Sequence, residues 1–122
     1  MSDSPFKLAV TKLVLLESPY AGDVSRNVKY AKLCMRDCLL RGEAPFASHL
    51  LYPQVLDDSN VEERGLGIEA GLAWGARAEA TVVYIDRGTS PGMALGVEAA
   101  LAAGRPVEYR MLPGWTTALD AS

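Results

Sequence analysis

No uncharged apolar run in the 122 residues approaches the roughly 18 that a membrane-spanning helix needs, so a membrane partner is not expected. Basic runs are missing too: twelve Lys and Arg against fifteen Asp and Glu leave a net charge of −3. Sequence-independent nucleic-acid binding works by neutralising phosphates, and this charge balance speaks against it. Cysteine is limited to Cys34 and Cys38, and histidine to His49. Two thiols four apart on one helical face lack disulfide geometry, and no Cys/His cluster accompanies them for zinc, so buried free thiols are expected. The acidic pairs Asp57-Asp58 and Glu62-Glu63 lack the alternating ligands and turn glycine of a calcium loop. Neither a metal nor a cofactor is therefore expected. Met1-Ser2-Asp3-Ser4-Pro5 lacks the basic-then-apolar layout of a signal peptide, which points to a cytoplasmic protein.

What is present suits one folded domain: 49% of residues are hydrophobic and 22% charged, close to ordinary globular usage. Short β-branched or apolar runs alternate with helical stretches. Val10 to Glu17 reads as a first strand, closed by the turn-rich Ser18 to Asp23. Asp23 caps a helix to about Arg41, with Val28, Ala31, Cys34, Met35 and Cys38 as its apolar stripe and Gly42 as its stop. Ala44 to Ala47 is a short second strand. Ser48 to Ser59 reads as a long loop, and Ser59 with Glu62 fits a capping box for a helix to about Ala76. Thr81 to Ile85 is a buried third strand. Ser90 caps a third helix with Pro91 at its first position; Gly104 ends it, and Pro106 to Arg110 is a fourth strand.

This order predicts an α/β fold: a single-domain, mostly parallel four-stranded sheet in the order 2-1-3-4, with helices on both faces, of the flavodoxin or Rossmann type. Ligands of such sheets bind outside the carboxyl ends of the strands. Ser18 to Asp23, Ser48 to Asp58 and Asp86 to Met93 should therefore converge on one crevice. The domain is placed at residues 1–110. Residues 111–122 form a C-terminal tail that holds Trp115 but no periodicity.

Within the crevice, Ser90, Pro91 and Gly92 open a helix whose free N–H groups and positive dipole end suit an anionic group. Asp86, next to the buried strand, has acceptors for ligand hydroxyls. His49 lies between Phe46 and Tyr52, a setting for ligand contact more than for catalysis. Glu69 is the only charge in Leu66 to Trp74, where burial would raise its pKa. The tightly spaced glycines of phosphate-binding loops are missing after the first strand, where Gly22 stands alone.

Ser18-Pro19-Tyr20-Ala21-Gly22-Asp23, Ser48-His49-Leu50-Leu51-Tyr52-Pro53-Gln54 and Asp86-Arg87-Gly88-Thr89-Ser90-Pro91-Gly92-Met93 together resemble small phage and bacterial members of the nucleoside 2-deoxyribosyltransferase-like superfamily, over roughly residues 10 to 110. Members cleave or exchange the N-glycosidic bond of nucleosides or nucleoside monophosphates through a nucleophilic glutamate. The resemblance implies that Ser18 and Tyr20 approach sugar, phosphate or base, and that Asp86 orients ligand hydroxyls. It also implies that Ser90 and Gly92, with Met93 beside them, offer helix-terminal donors to a phosphate. The remaining ligand-side candidates are Gly22, His49 and Tyr52. At the glutamate's place on the third helix this sequence has Gly96. Glu98, two residues on, points about 200° away at 3.6 residues per turn.

Two function classes follow. One is a non-catalytic binder of a nucleoside, nucleotide or nucleotide-sugar, for instance a sequestering protein for an ADP-ribose-type signal. The other is an N-glycosidic enzyme, a deoxyribosyltransferase or nucleoside monophosphate N-glycosidase, whose carboxylate comes from Glu69 or Glu98. Gly96 favours the binder. A small-residue helix face (Gly67, Ala70, Gly71, Trp74), too much for a four-stranded sheet to cover fully, suggests a homodimer.

Overall fold

The computed structural model describes residues 12–115. β1 (Lys12–Glu17) buries Val14, Leu15 and Leu16 in succession, which an inner strand covered on both faces requires. β3 (Ala80–Tyr84) is buried at all five positions. These two strands form the centre of a parallel sheet in the order β2-β1-β3-β4, with β2 (Glu43–Phe46) and β4 (Val107–Arg110) at the edges. This is the expected topology, with each edge strand one residue from its expected bounds. The expected start of β1 at Val10 and residues 116–122 of the tail lie outside the described residues.

Side chains alternate across a strand, so Val14, Leu16, Val82 and Tyr84 share one face. Helix α1 (Val24–Leu40) packs there through Tyr30, Cys34 and Cys38. Both cysteines are buried free thiols, and burial pushes the Cys38 thiol up to about 11. Asp23 accepts from the Arg26 N–H at the start of α1, and Gly42, with φ +82°, turns the chain out of its end. Leu112 and Trp115 also pack on this face. The buried Arg110 donates to both carboxylate oxygens of buried Glu43, each at 2.7 Å. This paired charge holds the Glu43 carboxyl below its usual range.

Leu15, Glu17, Thr81 and Val83 point to the other face, which carries α3 (Val61–Gly75) and α4 (Pro91–Ala102). A β-carbon at Gly75 would lie 2.9 Å from Leu15 Cδ2, so this glycine sets how closely α3 approaches the sheet. Along α4 the buried Met93, Gly96 and Ala100 recur at helical spacing and face inward. Ser90 caps α4 as expected, its Oγ accepting from the Met93 N–H at 3.3 Å.

Two local expectations are corrected. Residues 48–59 are not a plain loop: Ser48–Leu51 form a short helix, α2, continued by a 3-10 turn at Tyr52–Gln54. The cap of α3 is Asn60, whose side-chain oxygen accepts from the N–H groups of Glu62 and Glu63. Ser59 instead bonds Asp57 through both its N–H and its hydroxyl, which removes it from the helix.

The small-residue face of α3 is covered in part from within the chain. A β-carbon at Gly71 would come within 2.8 Å of Ser48 Oγ, one at Gly67 within 3.5 Å of Tyr52 Cβ, and Trp74 stacks on Phe46 with centroids 5.3 Å apart. Gly67 and Gly71 thus admit α2 and its 3-10 turn, while Trp74 stays more than half exposed. Among the described residues no helix is long and apolar enough to cross a membrane.

Candidate functional site

The carboxyl ends of β1 and β2 and the N-terminus of α4 enclose an open cleft of roughly 290 Å³. Its walls come from the segment after β1 (Ser18, Tyr20, Ala21), from α2 and its turn (Ser48, His49, Tyr52), from the loop into α3, from α3 itself and from Ser90 to Met93. Such volumes lie at the small end of the roughly 300–1,000 Å³ typical of small-molecule sites. The convergence expected of a parallel sheet is thus present, and it brings together Ser18, Tyr20, His49, Tyr52, Ser90, Gly92 and Met93.

Ser18 is buried, and its hydroxyl lies 2.6 Å from His49 Nε2. Burial without a countercharge lowers the His49 pKa to about 4, so the ring is neutral at physiological pH. With the proton on Nδ1, Ser18 donates to Nε2 and keeps its lone pairs for a ligand donor. With the proton on Nε2, the serine hydroxyl is free to donate. The pair therefore offers one polar contact in the floor of an otherwise largely apolar wall.

The remaining candidates sit elsewhere. Glu69 and Glu98 are exposed and do not line the cleft. Gly22, with φ +96°, makes the turn that admits Asp23 as the cap of α1, away from the lining. Asp86 is likewise outside the lining and already engaged. Its Oδ2 accepts from the Tyr30 hydroxyl at 2.6 Å and from the Leu112 N–H at 2.9 Å, while its own N–H donates to Tyr30. The Trp115 ring meets Tyr30 edge-on at 4.9 Å. Asp86 therefore fastens the segment after β4 to the end of β3.

The sequence reading passed over Glu17, the last residue of β1. It points to the same face as Leu15, toward α4, and lines the cleft. There it meets Gly96 so closely that any β-carbon at position 96 would overlap its carboxyl group. Among the described residues no hydrogen bond or ion pair reaches that carboxyl. Desolvation pushes its pKa up to about 8, so it carries its proton at neutral pH. Asp58, Glu63 and Arg64 supply charge elsewhere in the lining. Among the described residues no cluster of His, Cys, Asp and Glu is arranged to hold a metal ion.

Residues 12–110 match the family described as a domain of unknown function (DUF7768), and the chain belongs to that family. No curated protein matches the sequence. Among solved structures, a 2-deoxyribosyltransferase from the psychrotolerant bacterium Bacillus psychrosaccharolyticus, described as a biocatalyst for synthesis of nucleosides, is similar with a TM-score of 0.61. At 22% identity the match covers 85% of this chain and 75% of the other. The protein therefore shares the fold of that 2-deoxyribosyltransferase.

Proposed function

We propose, from this family membership and scaffold, that the chain binds a nucleoside or nucleotide in the cleft and acts on its N-glycosidic bond. The observation that carries this reading is a carboxyl group, Glu17, in the wall of a cleft that also presents aromatic rings and a helix N-terminus. Tyr20 and Tyr52 are flat apolar partners for a base. The start of α4 suits a phosphate or a sugar hydroxyl through its positive dipole end and the Gly92 N–H, since Pro91 has no N–H and the Met93 N–H is held by Ser90. The Ser18–His49 pair supplies a directional contact within the same space.

Gly96 favours a second reading, binding without turnover, as a protein sequestering a nucleotide-derived signal such as an ADP-ribose-type molecule would require. The two separate in one experiment. The protein is incubated with nucleosides, nucleoside monophosphates and ADP-ribose-type nucleotides, and free base is followed by chromatography. Base release supports the first reading; ligand recovered intact from denatured protein supports the second. Failure of every compound to bind by calorimetry would remove both.

The exposed Leu66, Ile68 and Leu72 of α3 and Leu95 and Leu101 of α4 motivate a homodimer as the working state. Soluble, cytoplasmic placement is the compartment in which such a nucleotide-directed protein would act.

A further inference from the structure

We propose that Glu17 is the catalytic carboxyl of this site, working from the end of β1 through space that Gly96 leaves open. This assignment rests on the N-glycosidic reading above and gives that reading its acid.

Three observations meet at one point. The cleft is lined by Glu17 and by no exposed glutamate of α3 or α4 that the sequence offered in its place. Position 96 lies on the inward stripe of α4 between Met93 and Ala100, where any side chain would point at the sheet. The glycine there exposes no backbone to solvent and has no positive φ to explain it. In a helix interior glycine is disfavoured relative to alanine. The nearest atoms to where its β-carbon would stand all belong to the Glu17 carboxyl.

The surroundings decide which chemistry the carboxyl does. The cleft that it lines is shared with Ser18 and Tyr20 from its own chain segment, neutral His49 and Tyr52 from the α2 region, Asp58 from the following loop, and Glu63 and Arg64 from α3. The inward stripe of α4 bears no charge. No cation is paired with Glu17 among the described residues, so nothing in this shell holds it as an anion before substrate arrives. It therefore enters the reaction as an acid. The Glu17 proton passes to the leaving nitrogen of the base as the bond from that nitrogen to the anomeric carbon breaks, and the bonding pair departs with the base. A water oxygen then bonds to the anomeric carbon, and the water's proton returns to the Glu17 carboxylate. The sum is nucleoside plus water giving free base plus sugar, with Glu17 regenerated.

The test follows base release from the same panel of nucleosides and nucleoside monophosphates by native protein, Glu17→Gln and Gly96→Ala, each with its substrate affinity measured by calorimetry. Glu17→Gln should lose turnover at least about 100-fold, the lower range of general acid catalysis, with affinity nearly unchanged. Gly96→Ala, whose methyl group displaces the carboxyl, should lose turnover likewise, and it carries the test should the glutamine variant fold poorly. Native kcat/KM should hold at lower pH and fall as pH rises through about 8. If Glu17→Gln stays within tenfold of native, the assignment is overturned while the N-glycosidic reading stands. A profile that rises through pH 8 overturns the acid role. If native protein releases no base from any substrate it binds, the reading of function fails and the assignment falls with it.

Discussion

A partly buried carboxyl packed beside a helix without a partner carries an energetic signature that is independent of catalysis. The folded protein holds the Glu17 proton up to about pH 8, whereas the unfolded chain releases it near 4.5. Between those values the native state binds more protons than the unfolded one, so stability declines as pH rises through this window. At roughly 1.4 kcal/mol per pH unit the limiting loss is about 5 kcal/mol. Solvent in the open cleft reduces that, and about 2–4 kcal/mol is expected by pH 9. Glu17→Gln keeps the shape of the protonated side chain and cannot ionise. It should match native stability near pH 5 and exceed it by about 2–4 kcal/mol at pH 9. His49 has the opposite sign. Its folded pKa is depressed to about 4, so the native state gains stability as pH rises from there to 6.5. The two slopes oppose each other between pH 4.5 and 6.5, and the variant should reveal the His49 rise that the native protein conceals. Urea titrations at pH 5, 6.5, 8 and 9 read both effects. Native and variant curves parallel to within about 0.5 kcal/mol over that range would refute the burial argument.

Three further outcomes are expected. Glu43→Gln leaves the buried Arg110 guanidinium with the half-exposed Glu108 at 2.8 Å as its one remaining carboxylate among the described residues, beside the neutral Tyr84 hydroxyl and Cys38 thiol, and should cost about 3 kcal/mol in urea unfolding. Glu108→Gln, by contrast, should cost less than about 1 kcal/mol. Ser90→Asp places a negative charge at the α4 N-terminus and should weaken nucleotide binding tenfold or more while sparing nucleosides; calorimetry showing unchanged nucleotide affinity would move the phosphate elsewhere. Light scattering should give twice the 13.1 kDa chain mass, and a monomer across working concentrations would leave the apolar residues of α3 and α4 as ordinary surface.

Strand order, helix placement and the crevice were legible because each rests on local periods and on the geometry of parallel crossovers. Thr81 to Tyr84 is an apolar β-branched run with an aromatic end, which suits one of the two central strands of the sheet. The caps at Asp23 and Ser90 were equally local, whereas Ser59 lost to Asn60 because Asp57 competed for its donors. Glu17 was not legible by that route. A polar residue at the end of a strand reads as the chain's exit to solvent, and its burial depends on a helix that begins 74 positions later. The available signal was a pair of anomalies rather than a motif. Gly96 was a missing side chain on an inward helical stripe, and Glu17 was a charge at the carboxyl end of a central strand. Topology sends both to the same end of the same sheet face: odd positions of β1 point toward the α3 and α4 layer, and α4 starts at the cleft. A vacancy and an unexplained acid that converge in this way complement each other in space, and local periodicity reports each only as an oddity of its own element.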